Sequence, residues 1–69
     1  MTTITIPVPE IHCDHCKQSI EGAIAPLPGV ASAVVDVAAR TVTVAVDTAR
    51  TGRARLVAEI EAQGYEVPS

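Results

Sequence analysis

The sequence predicts an α+β fold in which two helices cover one face of a four-stranded antiparallel sheet. Segments with strand and helix patterns follow one another in the order strand, helix, strand, strand, helix, strand, which is the order of a split βαβ pair. Hydrophobic residues make up 48% of the 69 residues, and Tyr65 is the single aromatic side chain. Neither a linker nor a low-complexity tract interrupts the chain. Residues 1–69 are therefore expected to form one small domain with an aliphatic core.

A strand and a helix are predicted in the first part of the chain. Apolar residues occupy every second position from Ile4 to Val8, the period of a strand with one buried face. Prolines at the end of this strand should fray it. After a loop, apolar residues recur at helical spacing and predict a helix over about residues 14–25. The segment Pro-Leu-Pro-Gly at 26–29 ends that helix, since proline cannot continue it.

Two strands, a helix and a short last strand are predicted in the rest of the chain. Residues 30–37 and 41–46 are rich in valine and alanine and should form a hairpin with a tight turn between them. Apolar residues between Leu56 and Ile60 predict the second helix, with Gly64 as its C-cap. The remaining residues, Tyr65–Val67, are expected to form the fourth strand.

Charge and length exclude several classes of function. The net charge is −3 and no run of like charges occurs, whereas binding to nucleic acid or to an anionic membrane needs clustered Lys and Arg. A protein partner should instead offer a positive patch. The amino terminus has neither a basic region nor a long apolar stretch, so we expect no signal peptide or spanning helix and a cytoplasmic location. A domain of this size has no room for a deep pocket.

The most informative motif is a pair of cysteines. Cys13 and Cys16 are the only thiols, and they stand at the start of the predicted first helix, where the helix dipole favours thiolate over thiol. Thiolate is a ligand for soft metals and the nucleophile of disulfide exchange, so both chemistries remain open. Polar neighbours argue against buried, inert thiols, and neither sulfur is expected to be needed for the core. A structural disulfide would close too small a loop to stabilise the fold much.

The neighbouring polar residues allow more than one interpretation. His12 and His15 would complete a Cys₂His₂ set for zinc, but consecutive ligands on so short a stretch make poor tetrahedra. His15 precedes Cys16 on the helix and should point roughly 100° away from it. Asp14 is interpreted as a helix-capping or first-turn carboxylate that tunes the thiols. Lys17 is either a solvated first-turn residue or a cation that balances a metal–thiolate charge.

The whole chain resembles the heavy-metal-associated domain family. The resemblance consists of an opening strand, the apolar Ile11 two residues before a Cys-x-x-Cys loop, a helix that closes in Leu-Pro-Gly-Val at 27–30, a valine-rich hairpin, and the ending Gly-Tyr-Glu-Val at 64–67. Small bacterial copper chaperones belong to this family, as do the amino-terminal metal-binding domains of copper-transporting P-type ATPases. The resemblance implies a ferredoxin-like βαββαβ fold with an exposed metal loop.

The resemblance also implies roles for individual residues. Cys13 and Cys16 would be the two thiolate ligands of Cu(I), and Tyr65 would lie near them. The family's usual Gly-Met pair ahead of the loop is replaced here by Glu10 and Ile11. The family's methionine packs into the core, and Ile11 can serve the same purpose with a stiffer side chain. Zn(II) or Ag(I) could take the place of Cu(I) in vitro.

The expected function is that of a soluble Cu(I) chaperone without enzymatic activity. It would pass its ion by ligand exchange to a copper-transporting P-type ATPase, its only contact with the membrane, and would act as a monomer or a metal-bridged dimer. The alternatives are a metal-binding domain excised from such an ATPase and a zinc or mercury domain. A start at Met1 and a stop at Ser69 favour a free-standing chaperone. A thiol-disulfide oxidoreductase would need a longer, thioredoxin-like scaffold with aromatic and proline neighbours, which are absent.

Overall fold

The computed structural model describes residues 1–12 and 14–68, which form an antiparallel sheet and two helices. In chain order the elements are β1 (Thr2–Pro7), α1 (Asp14–Ile24), β2 (Val30–Asp36), β3 (Thr41–Val46) and α2 (Arg53–Ala62). The predicted first helix is thus confirmed to within one residue, and the predicted third strand has the observed bounds. Within the described ranges, neither helix has the length and apolar character needed to span a bilayer.

The sheet is centred on β3, which pairs antiparallel with β1 on one side and β2 on the other. Val42 lies opposite Ile6 of β1 and Val35 of β2, and all three side chains are buried. An irregularity in register between Val30 and Ser32 interrupts the start of β2. Alternation of valine with less buried residues along β3 gives the sheet one core-facing side, as the two-residue period predicts.

The predicted fourth strand is not confirmed, because the described part of the chain has a three-stranded sheet. Gly64, with φ of +94°, turns the chain as α2 ends. In the following segment, Tyr65–Val67, the Glu66 N–H donates to the side-chain carboxylate of Glu10. This amide is therefore bonded to a side chain rather than to a neighbouring strand. Pro68 has no N–H to donate to a strand pairing.

The core lies between the sheet and the two helices. Ile11, which follows β1, and Cys16, in the first turn of α1, belong to it. The buried apolar side chains are Ile6, Val8, Ile11, Cys16, Ile20, Ile24, Leu27, Val35, Val42, Val44, Val46, Leu56 and Ile60. Each fully buried aliphatic side chain stabilises the fold by about 1.5–3 kcal/mol relative to an exposed one. The loop after β1 and the start of α1 are thus both attached directly to the core.

The connection between α1 and β2 packs against the connection between β3 and α2. The Asp47 N–H donates to the Gly29 carbonyl at 2.9 Å, and the buried Thr51 hydroxyl donates to the Pro28 carbonyl. Gly29 has φ of +81°. A Cβ placed there would lie 2.9 Å from the Cβ of Arg50 and 3.2 Å from the Cβ of Asp47. This position therefore needs glycine both for its backbone conformation and for the close approach of the second loop.

Alanine in place of Gly29 is expected to destabilise the protein by about 1–3 kcal/mol, because a left-handed residue with a Cβ costs about 1–2 kcal/mol and the contact with Arg50 adds strain. Gly22→Ala is the matched control. Gly22 lies inside α1 with no atom close to its Cβ position, so alanine should stabilise the helix by about 0.5–1 kcal/mol. Urea unfolding followed by far-ultraviolet circular dichroism measures both. Equal midpoints for the two variants would contradict the prediction.

Candidate metal site

The loop between β1 and α1 is anchored on both sides of its turn. The Val8 N–H donates to the Arg40 carbonyl at 2.9 Å, and the Ile11 N–H donates to the Val8 carbonyl at 3.1 Å. The side chains of Val8 and Ile11 are fully buried. The burial of Ile11 agrees with the expectation that it packs into the core. These contacts fix the chain as it leaves the sheet, two residues before the first cysteine of the motif.

Of the two cysteines, one is placed in the core. Cys13 lies outside the described residues. Cys16 is the third residue of α1 and is only 5% exposed. It shares the core-facing stripe with Ile20 and Ile24, since side chains four residues apart lie on one side of a helix. The expectation of exposed thiols that are not needed for the core is therefore wrong for Cys16.

His12 is exposed and its ring is held by the loop backbone. Nδ1 lies 2.7 Å from the Glu10 carbonyl oxygen. A carbonyl can only accept, so the hydrogen of this bond belongs to Nδ1 and the neutral ring has its lone pair on Nε2. An imidazole held in this way can ligate a metal through Nε2.

The other polar side chains of the motif lie around the start of α1. Asp14 is in the first turn of α1, as expected, where the positive end of the helix dipole stabilises a carboxylate. His15 is exposed whereas Cys16 is buried, so these neighbours point apart as their helical spacing predicts. Lys17 is half-buried. Among the described residues, which leave out Cys13, no three His, Cys, Asp or Glu side chains form a group that could hold a metal ion.

Tyr65 is brought towards the loop from the other end of the chain. Its side chain is half-buried and packs against the core cluster. The next peptide N–H, that of Glu66, donates to the Glu10 carboxylate. Sequence reasoning did not identify Glu10 as a site residue. The available signal was its place three residues before Cys13, where the family usually has glycine.

The amino-acid sequence is similar to those of known proteins. Residues 5–66 match the sequence profile of the heavy-metal-associated domain. The chain is 40% identical over 67 residues to the copper chaperone CopZ of Staphylococcus saprophyticus, a match that covers 97% of this chain and 98% of that protein.

Solved structures show the same similarity in three dimensions. A CopZ metallochaperone has a TM-score of 0.93 at 31% identity, and the match covers 97% of this chain and all of that one. The N-terminal soluble domains of Bacillus subtilis CopA give a TM-score of 0.86 at 36% identity, over 96% of this chain and 45% of that one. The profile match and the chain-long similarity together show that the protein belongs to the heavy-metal-associated domain family.

Proposed function

We propose that this protein is a copper chaperone that captures Cu(I) with the thiolates of Cys13 and Cys16 and passes it to a copper-transporting P-type ATPase. The observation that carries the proposal is the Cys-x-x-Cys motif at the start of α1, in a chain 40% identical to a copper chaperone over nearly its whole length. On this proposal the protein has no enzymatic activity and acts as a monomer.

The chemistry of the donor set supports Cu(I) as the cargo. Cu(I) is soft and accepts low coordination numbers, so two thiolates suffice, whereas a structural zinc takes four ligands. Cys16 belongs to the core-facing stripe of α1 and is held by packing. A ligand whose position is fixed by the core loses little freedom when it binds an ion.

Transfer by ligand exchange follows from the unfilled coordination shell. A thiolate of the partner joins the ion to give a three-coordinate intermediate, and one original thiolate then leaves, so the ion is never released to water. The similarity to the N-terminal soluble domains of CopA supports an ATPase domain of the same fold as the partner. Both thiols must be reduced for this exchange, which is why we place the protein in the reducing cytoplasm.

The test is an anaerobic competition titration of the fully reduced protein against a chromophoric Cu(I) chelator, beside a Zn(II) titration. Tight capture of one Cu(I) per chain with weak Zn(II) binding is the expected result. Zinc binding is the second candidate, and the lone pair on Nε2 of His12 favours it. Weak Cu(I) binding with tight Zn(II) binding would overturn the copper proposal in favour of that candidate.

Alanine in place of His12 and His15 is expected to change the affinity of the monomer for Cu(I) by less than about tenfold, or about 1.4 kcal/mol. Two thiolates suffice for Cu(I) and His15 points away from Cys16, so we expect neither ring to be needed as a ligand. The same titration measures the double variant, with Gln18→Ala as a control on the exposed surface of α1. A larger loss would make a histidine a Cu(I) ligand.

A further inference from the structure

Glu10 connects the loop that follows β1 (residues 8–12), called the metal loop below, to the carboxyl-terminal segment, residues 64–67. Its backbone carbonyl accepts from His12 Nδ1 at 2.7 Å, and its carboxylate accepts from the Glu66 N–H. The geometry points to Glu10 as a positioning residue whose carboxylate latches the carboxyl-terminal segment, with Tyr65, onto the metal loop and thereby slows release of Cu(I). The effect on release rests on the proposed function, whereas the latch itself is a contact of the metal-free protein.

The latch matters because this segment lies outside the sheet in the part of the chain that is described. Gly64 has a positive φ just after α2 ends, and residues 65–67 follow outside that helix. Tyr65 and Val67 pack against the core as partly buried side chains. The bond between Glu66 and Glu10 joins positions 56 residues apart, and it is therefore a tertiary contact rather than a local turn.

The two contacts of Glu10 can be separated by substitution. The bond to His12 uses the backbone carbonyl, which every substitution retains, whereas the bond to Glu66 needs the carboxylate. A charged acceptor binds an N–H more strongly than a neutral one does. Glutamine keeps an oxygen at the same reach without the charge, so it should restore part of what alanine removes.

Two arguments connect the bond between Glu10 and Glu66 to the release of Cu(I). One is the position of Glu10 in the sequence, and the other is thermodynamic linkage. Glu10 lies three residues before Cys13, and Tyr65 directly precedes the residue that Glu10 holds. The bond holds the residue directly after Tyr65 against Glu10, so on this proposal the Tyr65 ring would restrict the approach of a competing ligand to the loop. Loss of the latch should therefore expose Tyr65 and open the loop to exchange. If the latch raises the equilibrium affinity for Cu(I) by some factor, bound Cu(I) must stabilise the latch by that same factor.

The experiment compares the parent protein with Glu10→Ala, Glu10→Gln and the control Glu61→Ala. Glu61 is an exposed carboxylate in the last turn of α2, so its substitution changes the charge equally without touching the loop. Three quantities are measured: amide hydrogen exchange at Glu66 by NMR, acrylamide quenching of Tyr65 fluorescence, and the stopped-flow rate of Cu(I) transfer to a chelator. Tyr65 is the only aromatic residue, so its fluorescence reports this segment alone.

We expect Glu10→Ala to raise Glu66 exchange on the order of tenfold, to increase quenching of Tyr65, and to speed Cu(I) transfer on the order of fivefold. Glu10→Gln should give intermediate values, and Glu61→Ala should match the parent. Unchanged Glu66 exchange in Glu10→Ala would overturn the latch. Faster exchange with an unchanged transfer rate would also overturn the proposal, because the contact would then be structural only. Should the parent fail to capture Cu(I), the proposed function fails, while the first two measurements still decide the latch.

Discussion

Serine in place of Cys13 is expected to lower the affinity for Cu(I) by about a thousandfold or more, equivalent to at least about 4 kcal/mol. A two-thiolate site has no third sulfur to compensate, and a serine hydroxyl is a hard donor that stays protonated at neutral pH. The anaerobic competition titration measures the loss, and far-ultraviolet circular dichroism shows whether the variant has folded. A variant that folds and retains tight Cu(I) binding would contradict the assignment of Cys13 as a ligand.

The corresponding change at Cys16 should have a second effect that is independent of metal. Because Cys16 is buried in the core, its serine variant also places a hydroxyl in an apolar environment, at a cost of about 1–3 kcal/mol in stability. Cys16→Ala is the matched control, since it removes the sulfur without adding a polar group. Urea unfolding of the metal-free variants should rank serine below the parent. Equal stability of the parent and Cys16→Ser would show that the core tolerates a hydroxyl there.

Alanine in place of Ile11 is expected to destabilise the protein by about 2–4 kcal/mol, because the side chain is fully buried and its removal leaves a cavity. A chain of 69 residues has a total stability of only about 3–10 kcal/mol. The substitution therefore removes a large share of it, and urea unfolding of the metal-free protein measures the change.

Two controls separate the effect of Ile11 on the fold from its effect on the loop. Ile11→Met conserves the volume and should cost less than about 1.5 kcal/mol, with Cu(I) affinity retained. Ile24→Ala makes a similar cavity at the far end of α1 and should destabilise without changing Cu(I) affinity in conditions where it is folded. If Ile11→Ala and Ile24→Ala affected Cu(I) binding equally, Ile11 would have no particular part in holding the loop.

The fold was predictable where local signals agree. The alternating valines of β3 and the Pro-Leu-Pro-Gly segment after α1 each act within a few residues, and the observed bounds follow them closely. The fourth strand is not confirmed in the described residues, and three residues are too few to show a strand period. The Glu66 N–H in this segment bonds to the side chain of Glu10. No pattern near residue 66 reveals an acceptor 56 positions away.

The ligand pair Cys13 and Cys16 stays a prediction, whereas the surroundings of Cys16 differ from what its sequence neighbours indicated. The spacing of Cys13 and Cys16 at a helix start is a local signal. The burial of Cys16 was also present in the sequence, because Cys16, Ile20 and Ile24 share one helical stripe, but the polar neighbours of the cysteine outweighed it. Its depth in the core depends on the partners that α1 meets across the domain, which the motif alone does not specify.

The central position of β3 has a consequence for the order in which a newly made chain can assemble. The β2–β3 hairpin pairs Asp36 with Thr41, which are close in sequence. The pairing of β1 with β3 joins Thr2 to Val46, which are far apart in sequence. Closing a long segment is slower than closing a short turn. During synthesis, both cysteines leave the ribosome well before β3 does. Until about residue 46 has emerged, the loop has no completed sheet to hold it, so the nascent chain carries its thiols on an unanchored segment.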